Sequence, residues 1–224
     1  MKRSAIRGVL FDLDGTLLDT APDLIRVLNQ VRVEQGKVPV PYEVARTQVS
    51  HGSSGLIRLG FPELDGEPLE KLRLRLLALY SAQLAIDTAL FDGCEAVLQA
   101  LQERKLAWGI VTNKPGFLTV PLLATLGLDS RAGCVVSGDT LPQRKPHPAP
   151  LLLAASQLSL PPETCLYVGD AERDVQSARA AGMPVLVARY GYLGPEDDPD
   201  SWQPDAHIDT PLQIIDWLDG AAAR

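Results

Sequence analysis

Two aspartates one residue apart, Asp12 and Asp14, close the short apolar run Val9-Leu10-Phe11 and are followed at once by Gly15-Thr16. Carboxylates this close repel each other unless a cation or a shared proton relieves them. One can attack an electrophilic centre while the other moves a proton, which splits one hard displacement into two easier ones. Three more features of matching chemistry follow along the chain: Val111-Thr112-Asn113-Lys114, Lys145-Pro146-His147-Pro148, and Val168-Gly169-Asp170 with Asp174 four residues on. Together they fit phosphoryl transfer. Asp12 is the expected nucleophile and Asp14 the expected acid/base. Thr112 and the amide of Asn113 are expected to donate to phosphate oxygens, and Lys145 to add a point charge there. Magnesium takes a few oxygen ligands and keeps waters. Asp12, the carbonyl of Asp14 and Asp170 are its expected ligands, with Asp174 steadying a bound water.

Such groups need a frame that brings them together. Short β-rich runs at Gly8 to Phe11, Ala107 to Thr112, Cys134 to Ser137, Cys165 to Gly169, Val185 to Ala188 and, weakly, His207 to Ile208 alternate with helical patterns. The helices are expected near Glu95 to Arg104, Phe117 to Leu126, Ala149 to Leu158, Asp174 to Ala181 and Leu212 to Leu218. This alternation predicts βαβ units and a parallel sheet, with all four motifs at strand ends. Gly127, Gly182 and Gly220 suit left-handed helix ends. From about Ala21 to Thr88 the alternation stops. Leu69, Leu72, Leu76, Leu79 and Tyr80 form one helical stripe, and Glu67 can pair with Lys71 one turn away. The expected fold is thus α/β, a Rossmann-like parallel-sheet core over 1–20 and 88–224 with an all-helical cap inserted at 21–87.

Composition narrows the partners. The 224 residues are 46% hydrophobic and carry a net charge of -7. No stretch is strongly basic, which argues against nucleic acid. Three cysteines without metal-ligand spacing read as reduced thiols of a cytoplasmic protein. The basic start Met1-Lys2-Arg3 leads into an apolar run too short for a signal or a membrane span. The expected partner is a small phosphomonoester, and oligomeric state is left open.

The order and spacing of these motifs resemble the haloacid dehalogenase superfamily of phosphohydrolases over nearly the whole chain. Leu17-Leu18-Asp19-Thr20 before a helical insert resembles the subgroup whose helical cap lies between the first and second motifs. Val111-Thr112-Asn113-Lys114-Pro115 and Lys145-Pro146-His147-Pro148 are similar to the phosphoglycolate phosphatase family. The stretch Tyr190-Gly191-Tyr192, then Pro195-Glu196-Asp197-Asp198-Pro199 and Trp202, resembles a branch acting on N-acetylmuramic acid 6-phosphate. Many members have two adjacent aspartates after the fourth-motif glycine, whereas here Ala171 follows Asp170. The resemblance implies a Mg2+-dependent phosphatase with Gly15 and Thr16 beside the phosphate. It also implies a cap loop at Ser50-His51-Gly52-Ser53-Ser54-Gly55 facing the site. His51, Gly52, Ser53 and Arg58 are then the expected substrate contacts, Arg58 for a substrate carboxylate. The expected activity is hydrolysis of a small anionic phosphate, phosphoglycolate phosphatase-like; the alternatives are hydrolysis of N-acetylmuramic acid 6-phosphate and a sugar-phosphate mutase, which uses the same aspartyl-phosphate. A dehalogenase needs neither magnesium nor Asp14, and a signalling receiver needs no cap.

Overall fold

Strand β1 (Gly8–Phe11) is buried along its whole length and pairs in parallel on both sides, with β4 (Ala107–Val111) and β6 (Cys165–Gly169). A strand covered on both faces reads as the continuous apolar run Val-Leu-Phe, not as an alternation. In this computed structural model, which describes residues 6–220, six parallel strands form one sheet in the order β5-β4-β1-β6-β7-β8. The outer members are β5 (Cys134–Val136), β7 (Val185–Ala188) and β8 (Ala206–Ile208). The basic Met1-Lys2-Arg3 lies outside the described residues.

Helices cover both faces. On one, Val9, Phe11, Val168 and Leu186 pack with α5 (Cys94–Glu103), α6 (Gly116–Thr125) and α9 (Gln213–Leu218). On the other, Leu10, Val111, Tyr167 and Val187 pack with α7 (Ala149–Gln157) and α8 (Glu172–Ala180). Each such large side chain contributes about 1.5–3 kcal/mol on burial. The strands and helices expected from the sequence are all present, with ends shifted by a residue or two. Gly127 and Gly182 follow their helices with φ of 65° and 72°, as left-handed ends require.

The sequence pattern shows no sign of a second, two-stranded sheet, in which β2 (Leu18–Asp19) pairs antiparallel with β3 (Ala89–Leu90). Two-residue strands carry no periodicity, so composition cannot announce them. Between β2 and β3 lies the helical cap: α1 (Ala21–Glu34), α2 (Tyr42–Arg46), α3 (Gly52–Gly60) and α4 (Gly66–Ala82). Leu24, Leu28, Leu56, Ile57, Leu76 and Tyr80 form its core, joined by Leu118 and Tyr192 from the sheet domain. The expected Glu67–Lys71 ion pair is present at 2.8 Å.

Two buried polar groups fasten the points where the chain leaves and re-enters the sheet domain. The Tyr192 hydroxyl accepts from the amides of Thr20 (2.6 Å) and Ala21 (2.9 Å) and donates to Asp19 (2.8 Å). Asp23, fully buried on α1, accepts from the amides of Ile86, Asp87 and Thr88, from the Thr88 hydroxyl at 2.6 Å, and from Arg26 at 2.6 Å. Burial works against its charge, but the Thr88 hydroxyl, Arg26 and the amides outweigh it and hold the Asp23 pKa below the usual carboxylate range. A depressed folded pKa stabilises the fold above the unfolded pKa and loses that contribution as pH falls through the folded value. Asp23→Asn is therefore expected to cost about 1.5–3 kcal/mol at neutral pH. The gap from wild type in urea unfolding narrows as pH falls from about 5 toward 3. A gap independent of pH would show that the charge of Asp23 contributes nothing.

Candidate active site

The ends of β1, β4 and β6 meet above the sheet. The Asp12 amide donates to the Val168 carbonyl (2.8 Å), carrying the β1–β6 ladder one residue past the strand. The chain then folds back tightly, with the Leu13 carbonyl accepting from the amides of Leu17 (3.1 Å) and Leu18 (2.9 Å). Gly15 makes this turn at φ 86°, where a side chain is strained, and a Cβ there would fall onto the Asp170 carboxylate.

Asp12 is nearly buried. Its Oδ1 accepts from the Leu13 amide (2.7 Å) and pairs with Lys145 Nζ (2.9 Å). Its Oδ2 has no protein donor among the described residues. Lys145 also pairs with Asp174 Oδ1 at 2.7 Å and donates to the Tyr167 hydroxyl at 2.8 Å. One buried ammonium thus serves two carboxylates. The Asn113 side chain grips the backbone of Lys145 from both sides, donating to its carbonyl (2.9 Å) and accepting from its amide (3.1 Å). The expected role of Asn113 was its own amide toward phosphate; its side chain also fixes the lysine.

Asp12, Asp170 and Asp174 are all buried and offer oxygens within 4.8 Å of one another. Burial is the largest cause that pushes Asp12 up to about 7, with Lys145 opposing and Asp174 and Asp170 adding to the rise. Asp170 is likewise raised, first by burial and then by Asp174. Three hard oxygen donors, paired directly with one lysine and with Arg173 close by, suit a divalent cation that prefers oxygen, so these residues fit Mg2+. The Asp14 side chain stands apart from this group. Its Oδ1 accepts from Lys114 Nζ (2.9 Å) and the Thr20 hydroxyl (2.7 Å), while Oδ2 has no donor among the described residues. Burial disfavours the Lys114 ammonium, but Asp14 and the Tyr80 hydroxyl (3.1 Å) more than offset that and raise its pKa. Ala171, which stands where many members carry a second aspartate, donates its amide to Asp174 Oδ2 at 3.1 Å and so helps to aim that carboxylate.

A cavity of about 910 Å³ opens over these groups, lined on the sheet side by Asp12, Asp14, Thr112, Asn113 and Lys114. The cap contributes Ser50, His51, Gly52 and Ser53. Lys145, Asp170, Asp174, Gly15 and Thr16 lie behind the cavity wall and do not line it, and the Gly15 and Thr16 amides donate to the Leu18 (3.0 Å) and Leu13 (3.4 Å) carbonyls within the turn. Arg58 is exposed on α3 and also lies off the cavity. The arginines that do line it are Arg73 of the cap and Arg144 and Arg173 of the sheet domain. Arg73 is held bidentate by Glu70 (2.7 and 2.6 Å), and Arg173 donates to the Ser50 carbonyl (2.7 Å). The Arg144 side chain has no carboxylate partner among the described residues. Position beside Lys145 was the only signal for Arg144, and nothing in the local pattern singled out Arg73 over Arg58.

With this geometry in hand, likeness to known proteins is informative. The haloacid dehalogenase-like hydrolase family model matches residues 9–188. The chain is 46% identical over 205 residues to a phosphoglycolate phosphatase of Xylella fastidiosa (strain Temecula1), covering 92% of this chain and 90% of that one. It is 41% identical over 222 residues to the N-acetylmuramic acid 6-phosphate phosphatase of Pseudomonas aeruginosa, covering 99% and 98%. A crystal structure of a predicted phosphoglycolate phosphatase from Haemophilus somnus 129pt superposes with a TM-score of 0.84 at 26% identity, covering 96% of this chain and 98% of that one. The match across both halves of the sheet domain and the cap between them makes the chain a member of the haloacid dehalogenase-like hydrolases.

Proposed function

We propose that this hydrolase is a Mg2+-dependent phosphomonoesterase working through an aspartyl-phosphate on Asp12. The observation that carries the reading is the pair of unpartnered oxygens at the cavity, Oδ2 of Asp12 and Oδ2 of Asp14, each on a carboxylate whose other oxygen is anchored by a lysine. Anchoring one oxygen fixes the aim of the other. Asp12 Oδ2 attacks phosphorus, the bond from phosphorus to the ester oxygen breaks, and Asp14 gives the leaving oxygen its proton. Asp14 then takes a proton from a water that attacks the same phosphorus, and the acyl-phosphate bond breaks to release phosphate. Lys145 and the Thr112 and Asn113 donors hold the phosphate oxygens. A magnesium ion held by Asp12 and Asp170, with Asp174 behind it, offsets the repulsion between carboxylate and phosphate when bound. The three buried, unpaired cysteines fit a reducing cytoplasm, where burial pushes the Cys94 thiol up to about 12 and keeps it inert.

Two substrates come from the relatives: phosphoglycolate, and N-acetylmuramic acid 6-phosphate. Both pair a phosphate with a carboxylate. The cavity, about 910 Å³ and open to solvent, has room for either. Leu77, Phe117 and Leu118 add an apolar wall that a small acid would not cover.

The deciding experiment is release of inorganic phosphate from a panel of phosphomonoesters containing both candidates. Turnover is expected with Mg2+, and is lost in excess chelator and in a folded Asp12→Asn variant. Turnover that survives either change refutes the reading. Conversion of a sugar phosphate to its isomer without free phosphate would point to a mutase.

Substrate choice gives a second prediction. Among the described residues Arg144 is the cavity arginine with neither an ion pair nor a hydrogen-bond partner for its guanidinium, so it is the expected partner of the substrate carboxylate. Loss of such a charge-assisted bond costs about 1.5–3 kcal/mol, or roughly ten- to a hundredfold in kcat/KM. Arg144→Ala should show that loss on carboxylate-bearing substrates and little change on an uncharged aryl phosphate. Arg58→Ala should leave both near wild type. The reverse ranking would restore Arg58 as the contact.

A further inference from the structure

Ser50 belongs to the cap, in the single turn Val49–His51 before α3, yet both of its polar atoms engage the sheet domain. Its hydroxyl donates to Asp170 Oδ2 at 2.8 Å, and its carbonyl accepts from the Arg173 guanidinium at 2.7 Å. The Tyr192 amide donates to the same Asp170 oxygen at 3.0 Å. Two donors on Oδ2 fix the rotation of the carboxylate. They leave Oδ1 with only a long 3.5 Å contact from the Thr16 hydroxyl. Nearby, Arg46 of α2 donates to the carbonyls of Tyr190 (3.0 Å) and Gly191 (2.9 Å), so the loop and the Tyr190–Tyr192 segment are docked side by side.

Asp170 is one of the three acids that fit the cation, and it has no lysine or arginine within ion-pair distance among the described residues. A group that hydrogen-bonds to a metal-binding carboxylate orients it, and its loss typically weakens the metal as well as the reaction. Here that group stands on the cap loop that lines the cavity, not on the sheet domain that holds the acids. We propose that Ser50 is a positioning residue that couples cap docking to cation binding. When the loop is down, its hydroxyl aims Asp170 for Mg2+, and bound Mg2+ in turn holds the loop down. The two effects are equal by linkage. This inference rests on the reading of Asp12, Asp170 and Asp174 as the Mg2+ site. It goes beyond that reading by assigning the site a partner from the cap.

The test measures Mg2+ binding by calorimetry, and amide hydrogen exchange over residues 46–54 with and without Mg2+, in wild type, Ser50→Ala and Ser50→Thr. In wild type, Mg2+ is expected to slow exchange in this segment. Ser50→Ala is expected to bind Mg2+ about tenfold more weakly and to lose the Mg2+-dependent protection, while Ser50→Thr restores both. Wild-type affinity in Ser50→Ala would overturn the inference and leave the Mg2+ site standing. So would loop exchange in wild type that Mg2+ leaves unchanged or speeds up. A wild-type protein that binds no Mg2+ at all would overturn both.

Discussion

The constraint on which the rest of the site depends is the burial of Asp12, Asp170 and Asp174 around one ammonium. Ionised carboxylates out of water are costly, and three of them within 4.8 Å repel one another. Lys145 relieves part of this by pairing with Asp12 and Asp174, and the nearby Arg173 relieves a little more, but Asp170 makes no ion pair among the described residues. The surrounding structure serves that arrangement. Asn113 clamps the backbone of Lys145, and Tyr167 supports its head group from the floor of the sheet. The Ala171 amide and Tyr192 amide hold the outer oxygens of Asp174 and Asp170. The remaining negative charge is what a divalent cation and a phosphate ester can exploit together.

Lysines also divide the labour between the two aspartates of the first motif. Lys145 anchors Asp12 from within the sheet domain. Lys114 anchors Asp14 and at the same time donates to Tyr80 of the cap. Asp14, the proposed acid/base group, is thereby tied, through one ammonium, to the cap helix α4 beside the cavity. Docking of α4 and alignment of Asp14 are parts of one network, in which groups tend to act as a unit. Despite a net charge of -7, the chain gathers Arg73, Lys114, Arg144 and Arg173 around a single cavity. These cations partly offset the aspartates at the site and so lower the repulsion that an anionic substrate would meet there.

The sheet was legible because its central strands are buried on both faces. Gly8–Phe11, Cys165–Gly169 and Val185–Ala188 are apolar runs with sharp polar ends, and the ends of the first two are where the acids of the site sit. The four motifs could be placed because a parallel sheet brings its strand ends to one edge. The cap was legible as helices, and Leu69, Leu76 and Tyr80 are buried on α4 as the stripe requires. How that bundle sits on the sheet was not legible. Arg58 and Arg73 are both helical arginines flanked by apolar residues, and only the docking decides which one meets the cavity. Tyr80 read as an ordinary core residue, since a periodic pattern cannot reveal that its hydroxyl reaches Lys114. The engagement of the Gly15 and Thr16 amides was also not legible, and its reason is local. The turn that presents Asp12 and Asp14 consumes their amides.

The central claim is that Asp12 carries the phosphoryl group. The most direct measurement is chemical trapping during turnover: acid quench, borohydride reduction and mass analysis of the peptide containing residues 9–20. An acyl-phosphate on Asp12 is reduced to homoserine, whereas a free carboxylate is untouched. The account predicts homoserine at position 12 alone, formed only with substrate present. Label at position 14, or no label under conditions where phosphate is being released, would contradict it.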